Sequence, residues 1–379
     1  MKKIMIVFGT RPEAIKLAPV IQALKSEKDF ETIVCSTGQH REMLRQVLDI
    51  FNLSLDDDLD LMKSGQTLFD ITTNSLTQLQ FTIEKYKPNI LMVQGDTTTA
   101  FTSALASFYT KTMVAHVEAG LRSNDLFHPY PEEANRKFIS IISNFNFVPT
   151  LDSKENLLRE GFDPKSIYVT GNTVVDALHR IKQKLDKPES AAQIQSDLEA
   201  KYGSDIFKKK FILITLHRRE KFGVELEELL HTLEELGEKY SDYNFIYPVH
   251  LNPNVINPVS NILSKAKNFI LTEPMDYLQF LFVMSKCHFI MSDSGGVQEE
   301  CFVFNKPIIV MRDVTERNEA VKAGYAFLTG SNREKILSLF REIDFKLKNG
   351  FNFFTTENPF GDGKASQRIV DILKQKLIV

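Results

Sequence analysis

Phe289-Ile290-Met291-Ser292-Asp293-Ser294-Gly295-Gly296-Val297-Gln298-Glu299-Glu300 runs from an apolar stretch through a Ser-Gly-Gly break into a helical pattern. Phe289–Met291 reads as a buried strand, and Val297 to Phe304 as a helix stopped before Pro307. A strand that enters a helix through such a turn leaves unpaired backbone N–H groups at the helix start. Glycine admits a phosphate close to them, and the helix dipole favours its negative charge. Glu299 and Glu300 fall a turn further on, where a carboxylate can accept hydrogen bonds from ribose hydroxyls. An ordinary helix cap is the plainer reading of the same letters, and the rest of the chain decides between the two.

Outward from this stretch, short apolar runs alternate with amphipathic helical patterns. Strands are expected at Ile4–Phe8, Thr32–Ser36, Ile90–Gln94, Val114–Val117, Phe145–Val148 and Ile167–Thr170. The second half offers Phe211–Thr215, Asn244–Pro248, Phe269–Thr272, His288–Met291 and Pro307–Met311. Helical periods between them include Ala14–Ser26, Arg41–Phe51, Gln66–Lys85, Glu225–Tyr240 and Tyr277–Ser285. Such alternation predicts an α/β protein whose parallel sheets are covered by helices on both faces. Residues 182–210 are polar, helical in pattern and without a strand, which places a domain boundary just before them, near Gly171-Asn172-Thr173. The expectation is two Rossmann-like, doubly wound domains facing a cleft.

Composition narrows the function. A chain of 379 residues exceeds one core of ordinary size, so two domains fit. A net charge of −3 offers no basic field for nucleic acid. No apolar run approaches the ~18 residues of a membrane span. The start, Met1-Lys2-Lys3-Ile4-Met5-Ile6-Val7-Phe8, is too short in its apolar part for a signal peptide and breaks at Gly9-Thr10-Arg11-Pro12. Cys35, Cys287 and Cys301 lie in apolar surroundings without a CxxC, as in a reduced cytoplasmic protein.

In open α/β sheets, ligands bind beyond the carboxyl ends of the strands. The residues there are unusually polar: Gly9-Thr10-Arg11, Gly95-Asp96-Thr97-Thr98-Thr99, Glu118-Ala119-Gly120-Leu121-Arg122 and His217-Arg218-Arg219-Glu220. Arg11, beside a Pro12 suited to the first helical turn, is a diphosphate-clamp candidate because its planar fork matches phosphate geometry. Lys16 follows one turn later. Asp96, Glu118, Glu132 and Glu133 flank runs expected to be buried, and carboxylates gathered in one place suit general acid–base work. His217 is a candidate for holding a phosphate or carrying a proton, whereas His116, inside its strand, reads as a core histidine. Neither GxGxxG nor GxxxxGK[ST] occurs, and no HExxH or similar spacing signals a metal. Asp293-Ser294-Gly295-Gly296 also spells the surroundings of the serine in trypsin-like proteases, but that fold is all-β and the match is set aside. The residues alone point to acid–base chemistry on a nucleotide diphosphate-linked substrate.

Over essentially its whole length the sequence resembles the non-hydrolysing UDP-N-acetylglucosamine 2-epimerases. The resemblance is carried by Phe8-Gly9-Thr10-Arg11-Pro12-Glu13-Ala14-Ile15-Lys16, Gln39-His40-Arg41-Glu42-Met43-Leu44 and Gly95-Asp96-Thr97-Thr98-Thr99. It continues through His116-Val117-Glu118-Ala119-Gly120-Leu121-Arg122, Tyr130-Pro131-Glu132-Glu133-Ala134-Asn135-Arg136, Thr170-Gly171-Asn172-Thr173 and His217-Arg218-Arg219-Glu220. Tyr247-Pro248-Val249-His250-Leu251-Asn252-Pro253, Asp293–Glu300, Arg312-Asp313, Thr315-Glu316-Arg317 and Asn358-Pro359-Phe360-Gly361-Asp362-Gly363 complete it.

The resemblance implies a GT-B-like architecture, with residues 1–171 and 364–379 in one domain and 172–363 in the UDP-binding other. Ala365–Leu377 would be a helix returning to the first domain. It implies a cytoplasmic homodimer that needs no cofactor and interconverts UDP-N-acetylglucosamine and UDP-N-acetylmannosamine. The family's route is anti elimination of UDP through 2-acetamidoglucal, followed by re-addition. By the same resemblance Asp96, Glu118, Glu132 and His217 are the catalytic group. Arg11, Lys16, Phe280, Ser294, Gly295, Gly296, Glu300 and Arg317 bind the UDP-sugar. Gln39, Arg218 and His250 correspond to a second, activating site found in some members. Departures include Asn318 where proline is usual after Thr-Glu-Arg, Lys221 after His-Arg-Arg-Glu, and Leu216 before His217. A 2-epimerase of a modified UDP-N-acetyl sugar and a UDP-sugar glycosyltransferase are the competing readings.

Overall fold

The computed structural model describes residues 1–38, 41–61, 65–218 and 221–378. The chain divides into two compact units, residues 1–179 with 360–379, and residues 180–359.

The first unit is a seven-stranded parallel sheet. Its strands are β1 (Lys2–Phe8), β2 (Phe30–Ser36), β3 (Asp57–Asp58), β4 (Ile90–Gln94), β5 (Met113–Val117), β6 (Phe145–Val148) and β7 (Ile167–Val169), in the order 3-2-1-4-5-6-7. Ile4 through Phe8 are fully buried, as expected of a central strand covered on both faces. Met5, Val7, Leu91 and Val93 pack with Leu79, Ala104 and Ile139 of the covering helices. The helix Ala365–Leu377 buries Ile369, Val370 and Leu373 and packs against the helix Arg11–Lys25. It lacks a side-chain cap of its own. Instead its first backbone N–H groups, on Ala365 and Ser366, donate to the buried Asp176 carboxylate at 3.1 and 2.8 Å. Beside it, Gly171 and Gly361 pass so closely that a Cβ on Gly361 would lie 3.2 Å from the Gly171 Cα.

The second unit repeats the scheme with six parallel strands: β8 (Phe211–Thr215), β9 (Asn244–Pro248), β10 (Phe269–Thr272), β11 (Ile290–Ser292), β12 (Ile308–Val310) and β13 (Ala326–Leu328), in the order 10-9-8-11-12-13. Phe245, Phe289 and Phe340 interlock beneath it, with ring centroids 4.9 Å apart for Phe289 and Phe340.

In each sheet the strand order reverses once, between β1 and β4 and between β8 and β11. Such a switch point opens a crevice at the carboxyl ends, where connections depart to opposite sides. Six strands differ from expectation by one or two residues at an end: β1, β2 and β5 begin earlier, β7 ends at Val169, β11 begins at Ile290 and ends at Ser292, and β12 spans only Ile308–Val310. Strands β3 and β13 carry no apolar run of their own beyond three residues. Among the described residues, no helix is long and apolar enough to cross a membrane. All three cysteines are reduced and buried.

Candidate active site

At the first switch point, β1 ends at Phe8 and Gly9-Thr10 leads into the helix Arg11–Lys25. Thr10 and Glu13 form a capping box, with the Gly9 and Thr10 N–H groups donating to Glu13 Oε2 at 3.0 and 2.7 Å. Glu13 also reaches across to β4's loop, accepting at 2.6 Å from the Thr97 hydroxyl. Burial pushes its carboxyl above the usual range, with the hydrogen bonds from Thr97, Thr10 and Gly9 opposing. Gly9 has to be glycine: a Cβ there would strike the Thr37 hydroxyl and lie 2.5 Å from that of Thr99.

Asp96 follows β4 and is gripped from two directions, with the preceding Gly95 held from a third. Arg136 Nη2 donates to its carboxylate at 2.6 Å, Asn135 Nδ2 donates to its carbonyl at 2.9 Å, and His116 Nε2 lies 2.7 Å from the Gly95 carbonyl. Burial brings the His116 imidazole down to about 4, so it is neutral at physiological pH and serves as a core donor, as its sequence position suggested. Glu118, next beyond β5, is nearly buried and pairs with Lys16 Nζ at 2.5 Å. Its φ of +65° lies in the left-handed region, which a non-glycine residue occupies at a cost of about 1–3 kcal/mol. Gly120, at φ +85°, lets the following turn lie against the Ser153 carbonyl. Strain of this kind at a strand end beside a half-buried lysine marks a placed carboxylate rather than a solvated one.

Glu132 and Glu133 open the helix Glu132–Ile142, where its dipole favours negative charge. They part company there. Glu133 is fully buried, accepts from the backbone of Ser123 and Asn124 at 3.0 and 3.3 Å, and pairs with Arg136 at 3.1 Å. Glu132 is half-buried and remains the candidate of the two. Arg11 is half-buried at the start of its helix and has no side-chain partner among the described residues.

At the second switch point the acids and bases exchange places. Asp293, beyond β11, is 1% exposed. Its Oδ2 accepts from the backbone N–H groups of His217 and Arg218 at 2.9 and 3.0 Å, and its Oδ1 lies 3.1 Å from His217 Nδ1. Burial pushes this carboxyl up, but the His217 contact and the two backbone donors outweigh it and hold the group below the usual range. Arg218 Nε donates to the Asp293 carbonyl at 3.0 Å, and His250 stacks on His217 with centroids 6.3 Å apart.

Ser294 then caps the helix Gly295–Val303 without a side-chain bond, and Gly296 is exposed with open space where a Cβ would stand. Gly295 is tighter, since its Cβ would lie 3.3 Å from the Arg317 guanidinium. Arg317 Nε donates to the buried Glu299 at 2.8 Å, and Glu316 receives Arg312 through both oxygens at 2.9 Å. Glu300 stays half-buried and accepts from the Tyr277 hydroxyl at 2.9 Å. Phe280, on the same helix as Tyr277, is half-buried. Lys221 is buried and held by Glu225 and Ser331. Gln39 lies outside the described residues.

Thus Arg11, Lys16, Asp96, Glu118 and Glu132 belong to the first unit, and His217, Arg218, His250, Phe280, the Ser294-Gly295-Gly296 turn, Glu300 and Arg317 to the second. Sequence reasoning missed what Glu13, Arg136 and Asp293 do. Their partners are backbone groups or side chains up to 84 positions away, and only the strand-end rule hinted at them.

A family model described as UDP-N-acetylglucosamine 2-epimerase matches residues 22–374. The chain belongs to that family of isomerases. It is 45% identical to a UDP-N-acetylglucosamine 2-epimerase of Yersinia pestis, over 98% of each chain. A crystal structure of the family enzyme from Neisseria meningitidis bound to UDP-GlcNAc superposes with a TM-score of 0.92 at 45% identity, covering 98% of this chain and all of that one. A glycosyltransferase from Rickettsia africae, at 16% identity and a TM-score of 0.60, shares the GT-B-like fold alone.

Proposed function

We propose that this chain interconverts UDP-N-acetylglucosamine and UDP-N-acetylmannosamine by eliminating and re-adding UDP. The C2 hydrogen of the sugar is too weakly acidic for simple removal. In the proposed route a base takes that proton as the C1–O bond breaks anti to it, giving 2-acetamidoglucal and UDP. Protonation of C2 from the opposite face and return of UDP to C1 complete the inversion, with atoms and charge balanced and no hydride transferred.

Asp96 serves as one proton-transfer group and Glu118 or Glu132 as the other. Arg11, His217 and the backbone N–H groups of the Ser294-Gly295-Gly296 turn hold the diphosphate, which gathers charge as it leaves. Glu300 takes the ribose, Phe280 packs near the uracil, and Lys16 and Arg317 complete the lining. The resemblance further suggests a cytoplasmic homodimer.

The observation that carries this reading is Glu118, a nearly buried carboxylate on a strained backbone, paired at 2.5 Å with Lys16 at the end of a central strand. The test is proton NMR of UDP-N-acetylglucosamine with the purified protein in D₂O, without nicotinamide. UDP-N-acetylmannosamine carrying deuterium at C2 is expected. An unchanged sugar with its C2 proton intact would turn the reading towards a modified-sugar epimerase or a transferase.

A further inference from the structure

His217 and Asp293 meet because β8 and β11 are neighbours in register, with Thr215 opposite Ser292. Asp293 follows its strand directly and is buried, while the His217 side chain is 44% exposed. The two oxygens of Asp293 are used differently. Oδ2 takes both backbone N–H groups of the His217-Arg218 turn, whereas Oδ1 has no other donor among the described residues and faces only the imidazole Nδ1 at 3.1 Å. A buried carboxylate oxygen needs a donor, and an ionised carboxylate can only accept. The imidazole must therefore carry its proton on Nδ1.

That assignment has a chemical consequence at the other ring nitrogen. In the neutral ring, Nε2 then presents a lone pair, which repels a phosphate oxygen. To donate a hydrogen bond there, the ring has to gain a second proton. The Asp293 carboxylate keeps its place against Nδ1, which carries a proton in either form of the ring.

We propose that Asp293 is a positioning residue that locks His217 in its Nδ1–H form, so that binding a UDP-sugar draws one proton onto Nε2. The inference rests on the reading that this turn holds the diphosphate. The proton then bridges Nε2 to the diphosphate, where charge accumulates as the C1–O bond breaks. Among the described residues, the other groups around the ring do not supply it. His250, stacked on His217, has its Nδ1 committed as acceptor of the Asn252 N–H at 3.1 Å. Tyr247 donates to the Leu216 carbonyl at 3.2 Å, and burial pushes its hydroxyl far above the usual range. Arg218 is a permanent cation bound to the Asp293 carbonyl.

The test is calorimetric titration of the full chain with UDP-N-acetylglucosamine at about pH 8, above the ordinary imidazole range, in buffers of different ionisation enthalpy. Both phosphates of this ligand stay fully ionised there, and epimerisation itself moves no net proton. The wild type should take up a net proton fraction approaching about one. In Asp293→Asn, the amide oxygen can keep the two backbone donors, which turns the NH₂ group towards Nδ1 and places the ring proton on Nε2 instead. This variant should bind within about tenfold of the wild type with almost no proton uptake, and turn over about 10–10³-fold more slowly. His217→Gln, an exposed substitution, should bind at least about tenfold more weakly and take up none. Proton uptake equal to the wild type in either variant, or none in the wild type, overturns the proposal. Should Asp293→Asn fail to fold, His217→Gln decides it alone. No binding by the wild type would instead overturn the diphosphate reading.

Discussion

The two switch points share a topology and invert each other's electrostatics. Beyond β4 and β5 the outward candidates are carboxylates, Asp96 and Glu118, and the groups that hold them are the cations Arg136 and Lys16. Beyond β8, β11 and β12 the outward candidates are a histidine, a glycine turn and Arg317, and the acids Asp293 and Glu299 hold His217 and Arg317. One architecture thus presents either carboxylates backed by cations or a histidine, a glycine turn and an arginine backed by acids, according to which sign stands in front and which behind. The fold provides the place and the side chains decide the chemistry.

The contrast breaks most sharply at Asp96. Asp96→Asn should lower turnover by about 10²–10⁴-fold while UDP affinity, read by calorimetry, stays within about twofold. Normal turnover would remove Asp96 from the mechanism, and a parallel loss of UDP binding would erase the division of labour. The supporting acids of the second unit can be titrated. Burial opposes ionisation of Glu316, yet the charges of Arg312 and Arg317 bring it down to about 2 from 4.5. A depressed carboxyl stabilises the fold above its unfolded value and loses that contribution as the pH falls towards its folded one. Unfolding free energy should therefore drop by about 3 kcal/mol between about pH 5 and 2, beyond any drop in Glu316→Gln. An identical acid profile in the variant would show that this ion pair contributes nothing.

Smaller effects separate structure from chemistry. Gly9→Ala forces a Cβ against the Thr37 and Thr99 hydroxyls, and should cost about 1–3 kcal/mol in denaturant unfolding. An unchanged midpoint would mean the loops yield. Gly295→Ala meets only the Arg317 guanidinium at 3.3 Å, and should weaken UDP binding about tenfold with kcat little altered. A fall in kcat at unchanged KM would place proton transfer in the second unit as well.

Most of the fold was readable because fully covered parallel strands declare themselves as apolar runs. Ile90–Gln94, Phe145–Val148 and Phe211–Thr215 are found where such runs occur. Asp57–Asp58 could not be read, because two acids at a sheet edge owe their strand to a neighbour's backbone. At the candidate site, the strand-end rule singled out Asp96, Glu118 and His217 as residues. It could not reveal that Glu133 is occupied by the Ser123–Asn124 backbone and fully buried while Glu132 stays half-buried, since adjacent acids look alike until a helix turns them to different sides. Nor could it show that Asp293, one letter of a motif, reaches a turn 76 positions earlier in the chain.

The helix Ala365–Leu377 covers the very helix that bears Arg11 and Lys16, yet it is encoded after the whole of residues 180–359. On the ribosome the first unit therefore emerges with an apolar flank uncovered and an uncapped partner still untranslated. It has to wait, partly assembled, while the second unit emerges and folds on its own. Synthesis thus imposes an order on a structure that shows none, and translational pausing within the intervening segment would lengthen the interval in which the first half is open to chaperones and proteases.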